Sequence, residues 1–322
     1  MLTYSKLKFA MTGVTAAIIG LATLVCVAIF SIVAPTENLS ILILGSLIFV
    51  LVIHTTQWIL APKIIEAAYK VRPASEDFAW LKEVIRKIAV DSGLSKTPKA
   101  MVAEVSVPNA FAYGNIFSGY RVAVTKGMLL NFPKDEIEAV IAHEVGHIKH
   151  KDVEVMMIVS VLPALLFWLG RTLMLFGMFR GSSRRNESAI IPLIGVGLLA
   201  FSFVFNLFIL YLSRLREYYA DSHAALTVPR GAKKLQRALA RILVLSRQLR
   251  FNKAEIKALG KFRALLINDP ELGISALVSA DIDRVVEYIK SAKKLLPLEL
   301  FSSHPDPAKR LRFLDSFLRS SS

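Results

Sequence analysis

Long apolar blocks alternate with charged stretches along this chain, and that alternation sets its architecture. Residues 9–34, 39–62 and 189–213 contain no Asp, Glu, Lys or Arg. Each exceeds the roughly 20 apolar residues that cross a bilayer as a helix. Residues 155–179 form a fourth block, interrupted only by Arg171. An ionisable group at membrane depth is expensive unless paired or wet, so Arg171 is expected to face protein or water. The pattern predicts four spans arranged as two hairpins. The first block follows Lys6 and Lys8, as a signal peptide would. It is longer than the roughly 7–15 residues of a signal core, and a second span follows at once, so it reads as an anchor.

The flanks decide the orientation. Lys6 and Lys8 precede the first hairpin, Lys63, Lys70 and Arg72 follow it, and residues 35–38 between its two spans carry only Glu37. Positive residues stay in the cytoplasm, which places residues 63–152 there; the expected membrane is the plasma membrane. Arg180, Arg184 and Arg185, between the third and fourth blocks, run against this bias. Whether the second hairpin crosses fully is therefore open.

The polar stretches carry their own periodicities. Ser75 opens a predicted helix, with Glu76 and Asp77 at its positive end and Phe78, Leu81, Val84, Ile85 and Ile88 along one face. Gly93 is expected to end it. Residues 100–107 and 120–125 read as strands, with irregular backbone marked by Asn109 and Gly114 between them. A second helix begins near Pro133 and runs to Asp152. No proline separates it from the block at 155–179, so one continuous helix into the membrane is allowed. The block at 189–213 likewise continues into 214–226. Two further helices are expected, over 281–294 and 308–318. The fold class that follows is a multi-pass α-helical membrane protein with a mainly α, α+β cytoplasmic domain. It divides into a hairpin over 1–62, a polar part over 63–152, a second hairpin over 153–213 and a helical part over 214–322.

Composition narrows the partners. Of 322 residues, 54% are hydrophobic, more than in an ordinary soluble domain. The formal charge of +15 is accounted for by an anionic membrane face. No zinc-finger or RNA-recognition signature is present, so nucleic acid is not an expected partner. The single cysteine, Cys26, lies within the first block. No intramolecular disulfide can form, and a thiol nucleophile buried in lipid is implausible.

His143-Glu144-Val145-Gly146-His147 carries the chemistry. Residues four apart share one helix face, so two imidazoles can grip one zinc ion. Glu144 can take a proton from water that the metal acidifies. A five-residue match also arises by chance on amphipathic helices. A catalytic zinc needs a third protein ligand, however, and Glu217-Tyr-Tyr-Ala-Asp221 offers one just past the last span. Glu217 would ligate, and Asp221 would accept a hydrogen bond from a ligating histidine. The plainer alternative for Glu217 is a salt bridge with Arg214.

Several segments together resemble the M48 metalloproteases: residues 140–152 around the histidines, 212–221 around Glu217, Asn109-Ala110-Phe111-Ala112-Tyr113-Gly114, and His304-Pro305 followed by Arg310 and Leu314. The order and the intervening hairpin look like the HtpX-type membrane proteases. The resemblance implies a gluzincin fold with one zinc per chain and a cytoplasmic active site. It implies endoproteolysis of unfolded or damaged membrane proteins, a quality-control role. It also implies that Asn109, Ala110 and Phe111 form an edge that pairs with extended substrate. The prenyl-protein endopeptidases of the same family have more spans and a longer chain.

Other polar residues fit less well. No glycine separates His147 from His150, so His150 reads as a surface or supporting residue rather than a third ligand. His54 reads as a bundle-facing polar residue. For the oxyanion, His223, Tyr218, Tyr219 and Arg214 are all candidates. Asp152 would position the far end of the zinc helix or cap its charge. A scaffold with a degenerate site would lack a ligand or a base, and none is missing. An intramembrane protease would surround the histidines with apolar residues. Lys134, Asp135, Glu136, Glu138, Lys149, Lys151 and Asp152 surround them instead. The substrate and the oligomeric state are left open.

Overall fold

The computed structural model describes residues 39–179, 190–251, 281–291 and 301–319. The expected span over 9–34 and the loops at 35–38 and 180–189 lie outside the described residues. In chain order the elements are α1 (Leu39–Tyr69), β1 (Val71–Pro73), α2 (Ala79–Asp91), β2 (Lys99–Ala103), β3 (Ala110–Asn115), β4 (Gly119–Thr125), α3 (Lys126–Asn131) and α4 (Lys134–Lys149). They continue with α5 (Asp152–Phe179), α6 (Ile190–Thr227), α7 (Gly231–Phe251), α8 (Ile282–Ser291) and α9 (Pro307–Arg319). The chain forms two compact units, one built on Ile59–Glu154 with the residues from Leu210 onward, the other on the helical segments before Ile59 and over Val155–Ile209.

The second unit is apolar on its outside. Leu44, Ile48 and Val52 of α1, Ile158 and Leu162 of α5, and Leu193, Phe201 and Phe208 of α6 are all exposed. So many large apolar side chains facing outward suit lipid, not water. Three helical stretches, Leu44–Tyr69, Asp152–Gly177 and Ile190–Thr227, are long and apolar enough to cross a membrane. Inside this unit Phe49 meets Trp168 edge-to-face at 4.8 Å, and the Ser202 hydroxyl donates to the Pro163 carbonyl at 2.8 Å.

The first unit holds a four-stranded sheet in the order β1-β2-β4-β3. β2 and β4 are parallel, and the outer pairs are antiparallel. One sheet face presents Val102, Val122 and Val124 to Leu81, Ile85 and Ile88 of α2, Met128 of α3, and Ile137 and Ile141 of α4. The other presents Met101, Tyr113 and Ala123 to Ile65 near the end of α1. A smaller core joins Ala240 of α7 to Val285, Val286 and Ile289 of α8 and Leu311 of α9. Gln236 ties α7 to α9 through the Leu311 carbonyl and the Asp315 carboxylate, at 2.7 and 2.8 Å.

Four local expectations change. Ser75 makes no side-chain cap, because a 3-10 turn over Glu76–Phe78 precedes α2. β2 ends at Ala103, where the Val105 N–H turns back to the Ala103 carbonyl and the Val105 carbonyl takes the Gly127 N–H. The segment expected to be irregular is β3, paired along its length with β4. In its Ala-Phe-Ala-Tyr-Gly-Asn sequence only Phe111 and Tyr113 favour a strand, so pairing with β4 outweighs the propensity of the rest. Finally, α4 and α5 are separate helices. Lys151 adopts φ 54° between them, and that break has consequences for the site. α6, by contrast, runs unbroken from the apolar block to Thr227.

Gly114 closes the β3–β4 hairpin with φ +130°, and a Cβ there would lie 2.2 Å from the Gly119 carbonyl oxygen. We expect Gly114→Ala to destabilise the protein by about 1–3 kcal/mol from backbone strain alone. Thermal unfolding of the detergent-purified protein measures this, and an unchanged midpoint would rule out the close approach.

Candidate metal centre

Helix α4 supplies the centre of the cluster. Its buried face carries Ile137, Val140, Ile141, Val145 and Ile148 into the core, and that packing fixes the turn on which His143 and His147 sit. Their Nε2 atoms lie 3.2 Å apart. Where α6 crosses α4, Gly146 faces Ala220 and His223, and a Cβ at 146 would come within 3.1–3.2 Å of both. A side chain there would push the helices apart. This close approach brings Glu217 to the histidines, with its Oε2 3.7 Å from His143 Nε2 and its Oε1 3.9 Å from His147 Nε2.

The other nitrogen of each imidazole faces a carboxylate. Asp221 Oδ1 lies 3.0 Å from His143 Nδ1, and Asp152 Oδ2 lies 2.5 Å from His147 Nδ1. The hydrogen bond to Asp152 fixes the tautomer of His147, placing the proton on Nδ1 and the lone pair on Nε2. The break at Lys151 explains Asp152, since restarting the helix there turns its side chain back toward His147. Arg216 holds the second oxygen of Asp152 at 2.9 Å.

Arg310 of α9 binds the inner pair. Its Nε and Nη2 reach the two oxygens of Asp221 at 2.9 and 2.6 Å, and its Nη1 lies 3.0 Å from Glu217 Oε2. Burial alone would weaken its charge, but Asp221 and Glu217, with Glu144 beyond them, hold its pKa above the ordinary value. His304 Nδ1 lies 3.0 Å from Glu217 Oε1 and is the most solvent-open member, its side chain 68% exposed. Glu144 accepts the Ala112 N–H at 2.8 Å through Oε2.

The donor set suits a divalent cation. One imidazole nitrogen from each histidine and one Glu217 oxygen lie within 4.8 Å of one another. Zinc bonds of about 2.0–2.1 Å in a tetrahedral shell place ligand atoms about 3.3 Å apart. With the imidazoles neutral, the carboxylates of Glu144, Asp152, Glu217 and Asp221 face the guanidinium groups of Arg216 and Arg310, leaving two negative charges. The same field acts on His147. Burial disfavours its charged form, yet its hydrogen bond to Asp152 and the charges of Glu144, Glu217 and Asp152 raise its pKa. The cluster draws positive charge to itself.

The remaining expected residues lie as follows. His223 Nε2 is 2.8 Å from the Ser92 hydroxyl. The Tyr218 ring packs on Phe313 at 4.9 Å. Arg214 donates to the Ser302 carbonyl at 2.8 Å. Tyr219 is largely exposed. Asn109 is held by its backbone to Thr125, Ala110 is buried on β3, and Phe111 packs between Tyr69 and Tyr113. Asp152, read from the sequence as positioning the far end of the zinc helix or capping its charge, meets His147; the parts that sequence reasoning did not assign are Arg216 behind it, and Arg310 and His304 on Glu217. A His-Pro element with an arginine six residues after the histidine is visible in the sequence, but nothing local says what that arginine binds.

Residues 75–318 match Peptidase family M48. The chain belongs to that family. It is 42% identical over 261 residues to the Protease HtpX homolog of Aeropyrum pernix, covering 80% of this chain and 81% of that one. It is 36% identical to the Protease HtpX homolog 2 of Sulfurisphaera tokodaii over 97% of both chains. The fold is similar to the crystal structure of S. mikatae Ste24p, with a TM-score of 0.56 at 21% identity, over 98% of this chain and 68% of that one. This M48 protein is therefore a membrane metalloendopeptidase of the HtpX type.

Asp152→Asn keeps the size of the side chain and removes the charge that His147 faces. We expect metal affinity to fall by about 10–100-fold, with the helical content unchanged. Competition with a zinc chelator of known affinity measures this, and wild-type affinity would show that Asp152 does not support the centre.

Proposed function

We propose that this peptidase is zinc-dependent and cuts unfolded or damaged membrane proteins at the cytoplasmic face of the plasma membrane. The observation that carries the reading is the convergence of two Nε2 atoms and a buried Glu217 carboxylate, with each Nδ1 atom facing an aspartate. His143, His147 and Glu217 would hold the ion. Zinc supplies Lewis acidity toward a peptide carbonyl and toward water.

The chain supplies the rest. Ala112 holds Oε2 of Glu144, which leaves Oε1 to receive a proton from the attacking water and later pass it to the departing amine. Asp152 and Asp221 keep the imidazoles turned inward. Arg310 balances Glu217 and Asp221, so that neither carries an uncompensated buried charge. For the oxyanion, His223, Tyr218 and Arg214 are the polar groups that the sequence suggests.

β3 is an edge strand, and its Ala112 N–H points away from β4 toward Glu144. Alternation along an antiparallel strand then turns the backbone of Ala110, Ala112 and Gly114 outward. An extended peptide adding to this edge would be held by main-chain hydrogen bonds beside Glu144. Asn109 anchors the start of the edge, where its N–H donates to the Thr125 hydroxyl and its carbonyl accepts the Thr125 N–H, both at 2.9 Å. Recognition through backbone tolerates many sequences, which supports a role in clearing damaged chains. The exposed Lys63, Lys70 and Arg72 after the first apolar segment support a cytoplasmic active site.

Zinc content and casein cleavage, measured side by side on detergent-purified wild type and variants, test the reading. Glu144→Gln should retain about one zinc per chain, as expected for three intact ligands, and lose turnover. Glu217→Ala should lose zinc and activity together. Zinc loss in Glu144→Gln would contradict its role as the base, and a fully zinc-loaded, active Glu217→Ala would remove Glu217 from the site.

A further inference from the structure

The β3–β4 hairpin ends in two exposed apolar side chains, Ile116 at 62% and Phe117 at 73% relative exposure. The turn that presents them is held rigidly. Asn115 is buried, and its side-chain oxygen accepts the N–H groups of Phe117 and Ser118 at 3.1 and 2.8 Å. A pre-formed turn that displays Ile and Phe to the outside suits an apolar environment and is a liability in water.

The hairpin is pinned at both flanks to the places where apolar helices begin or end. On β3, the Tyr113 hydroxyl donates to Glu66 Oε1 at 3.2 Å, and on β4 Arg121 Nε lies 2.9 Å from the same oxygen. Glu66 stands four residues after Pro62, the last residue of the charge-free block 39–62. Tyr120, also on β4, donates its hydroxyl to Glu154. After Glu154 the chain carries no charge until Arg171.

The direction of β3 is equally informative. Phe111 stacks on Tyr69 at 5.1 Å, and Tyr113 reaches Glu66, so the strand runs back along α1 toward its apolar part. Three more residues at about 3.3 Å each carry the tip about 10 Å further. In that direction α1 carries Ile59 and Leu60, themselves exposed apolar residues. Lys99, exposed and paired in register with Arg121, adds a positive charge behind the tip, as an interfacial element requires against anionic headgroups.

We propose that Ile116 and Phe117 form an interfacial anchor that enters the headgroup–acyl boundary of the bilayer. The partner is lipid. Elements of this kind sit about 5–10 Å into the boundary, a depth that two side chains on a turn can reach. Because β3 is the strand that carries the tip, the anchor holds the start of the open sheet edge against the membrane surface. A segment drawn out of the bilayer would then meet that edge without first crossing water. The assignment rests on the tip and its pins, independently of the protease reading.

The test uses the full-length chain in nanodiscs of phosphatidylcholine and phosphatidylglycerol. In a Cys26→Ala background, Ile116→Cys and, separately, Phe117→Cys are labelled with an environment-sensitive fluorophore, and Glu83→Cys on the exposed side of α2 is the control. An unchanged thermal unfolding midpoint reports the fold of each variant. The expected result is blue-shifted emission at both tip positions, with most of it lost when lipids carrying a nitroxide just below the headgroup are included, and neither effect at position 83. Water-like emission indifferent to the nitroxide at both tip positions would overturn the anchor. Blue-shifted emission that the nitroxide does not quench would also overturn it, and would place the tip against protein, either another segment of this chain or a second copy.

Discussion

Arg310 is held between Asp221, which is fully buried, and Glu217, which is nearly so. The arrangement of the metal centre depends on this triad. Removing carboxylates from water costs several kcal/mol each unless they are paired and hydrogen-bonded. The bidentate contact to Asp221 and the single contact to Glu217 meet that requirement with one residue. Asp221 Oδ1 and Glu217 Oε2, which Arg310 contacts, are also the oxygens nearest His143. α9, which delivers Arg310, is fixed in turn by its packing on α7 and α8 and by the Gln236 hydrogen bonds. A C-terminal helix without ligands of its own therefore controls the inner surface of the cluster.

The second constraint is the interruption between α4 and α5. A non-glycine residue in the left-handed region costs of order 1–3 kcal/mol and persists where the surroundings over-determine it. At Lys151 the surroundings are Asp152 on His147 and Arg216 on Asp152. Two elements that sequence periodicity would join are separated so that a carboxylate can turn back on the helix it follows. The two histidines thus have matching supports from opposite directions, Asp221 from α6 and Asp152 from the start of α5.

The sheet serves the same centre from the other side. β3 gives an N–H to Glu144 and carries the exposed tip at Ile116 and Phe117, so one strand links the proposed base, the proposed substrate edge and the proposed membrane contact. Glu66, four residues after one charge-free stretch, and Glu154, just before another, pin the two strands of that hairpin.

Much of this protein was legible in its sequence because it depends on periodicity within one element. Apolar runs longer than a bilayer, free of charge except for Arg171, marked the membrane helices within the described residues. Spacing of four placed His143 beside His147 and Glu217 beside Asp221, since residues one turn apart share a face whatever surrounds them. Other features required the tertiary structure. The strand character of residues 110–115 comes from pairing with β4, because the alanines, Gly114 and Asn115 there disfavour a strand and only Phe111 and Tyr113 favour one. The turn of Asp152 comes from a backbone conformation that lysine does not favour by itself. Arg310 reaches Asp221 across 89 residues of chain. Local sequence determines which face of a helix a side chain occupies. Only the packing of separate elements decides which charges meet, because a buried charge takes its partner from whatever the fold brings within reach.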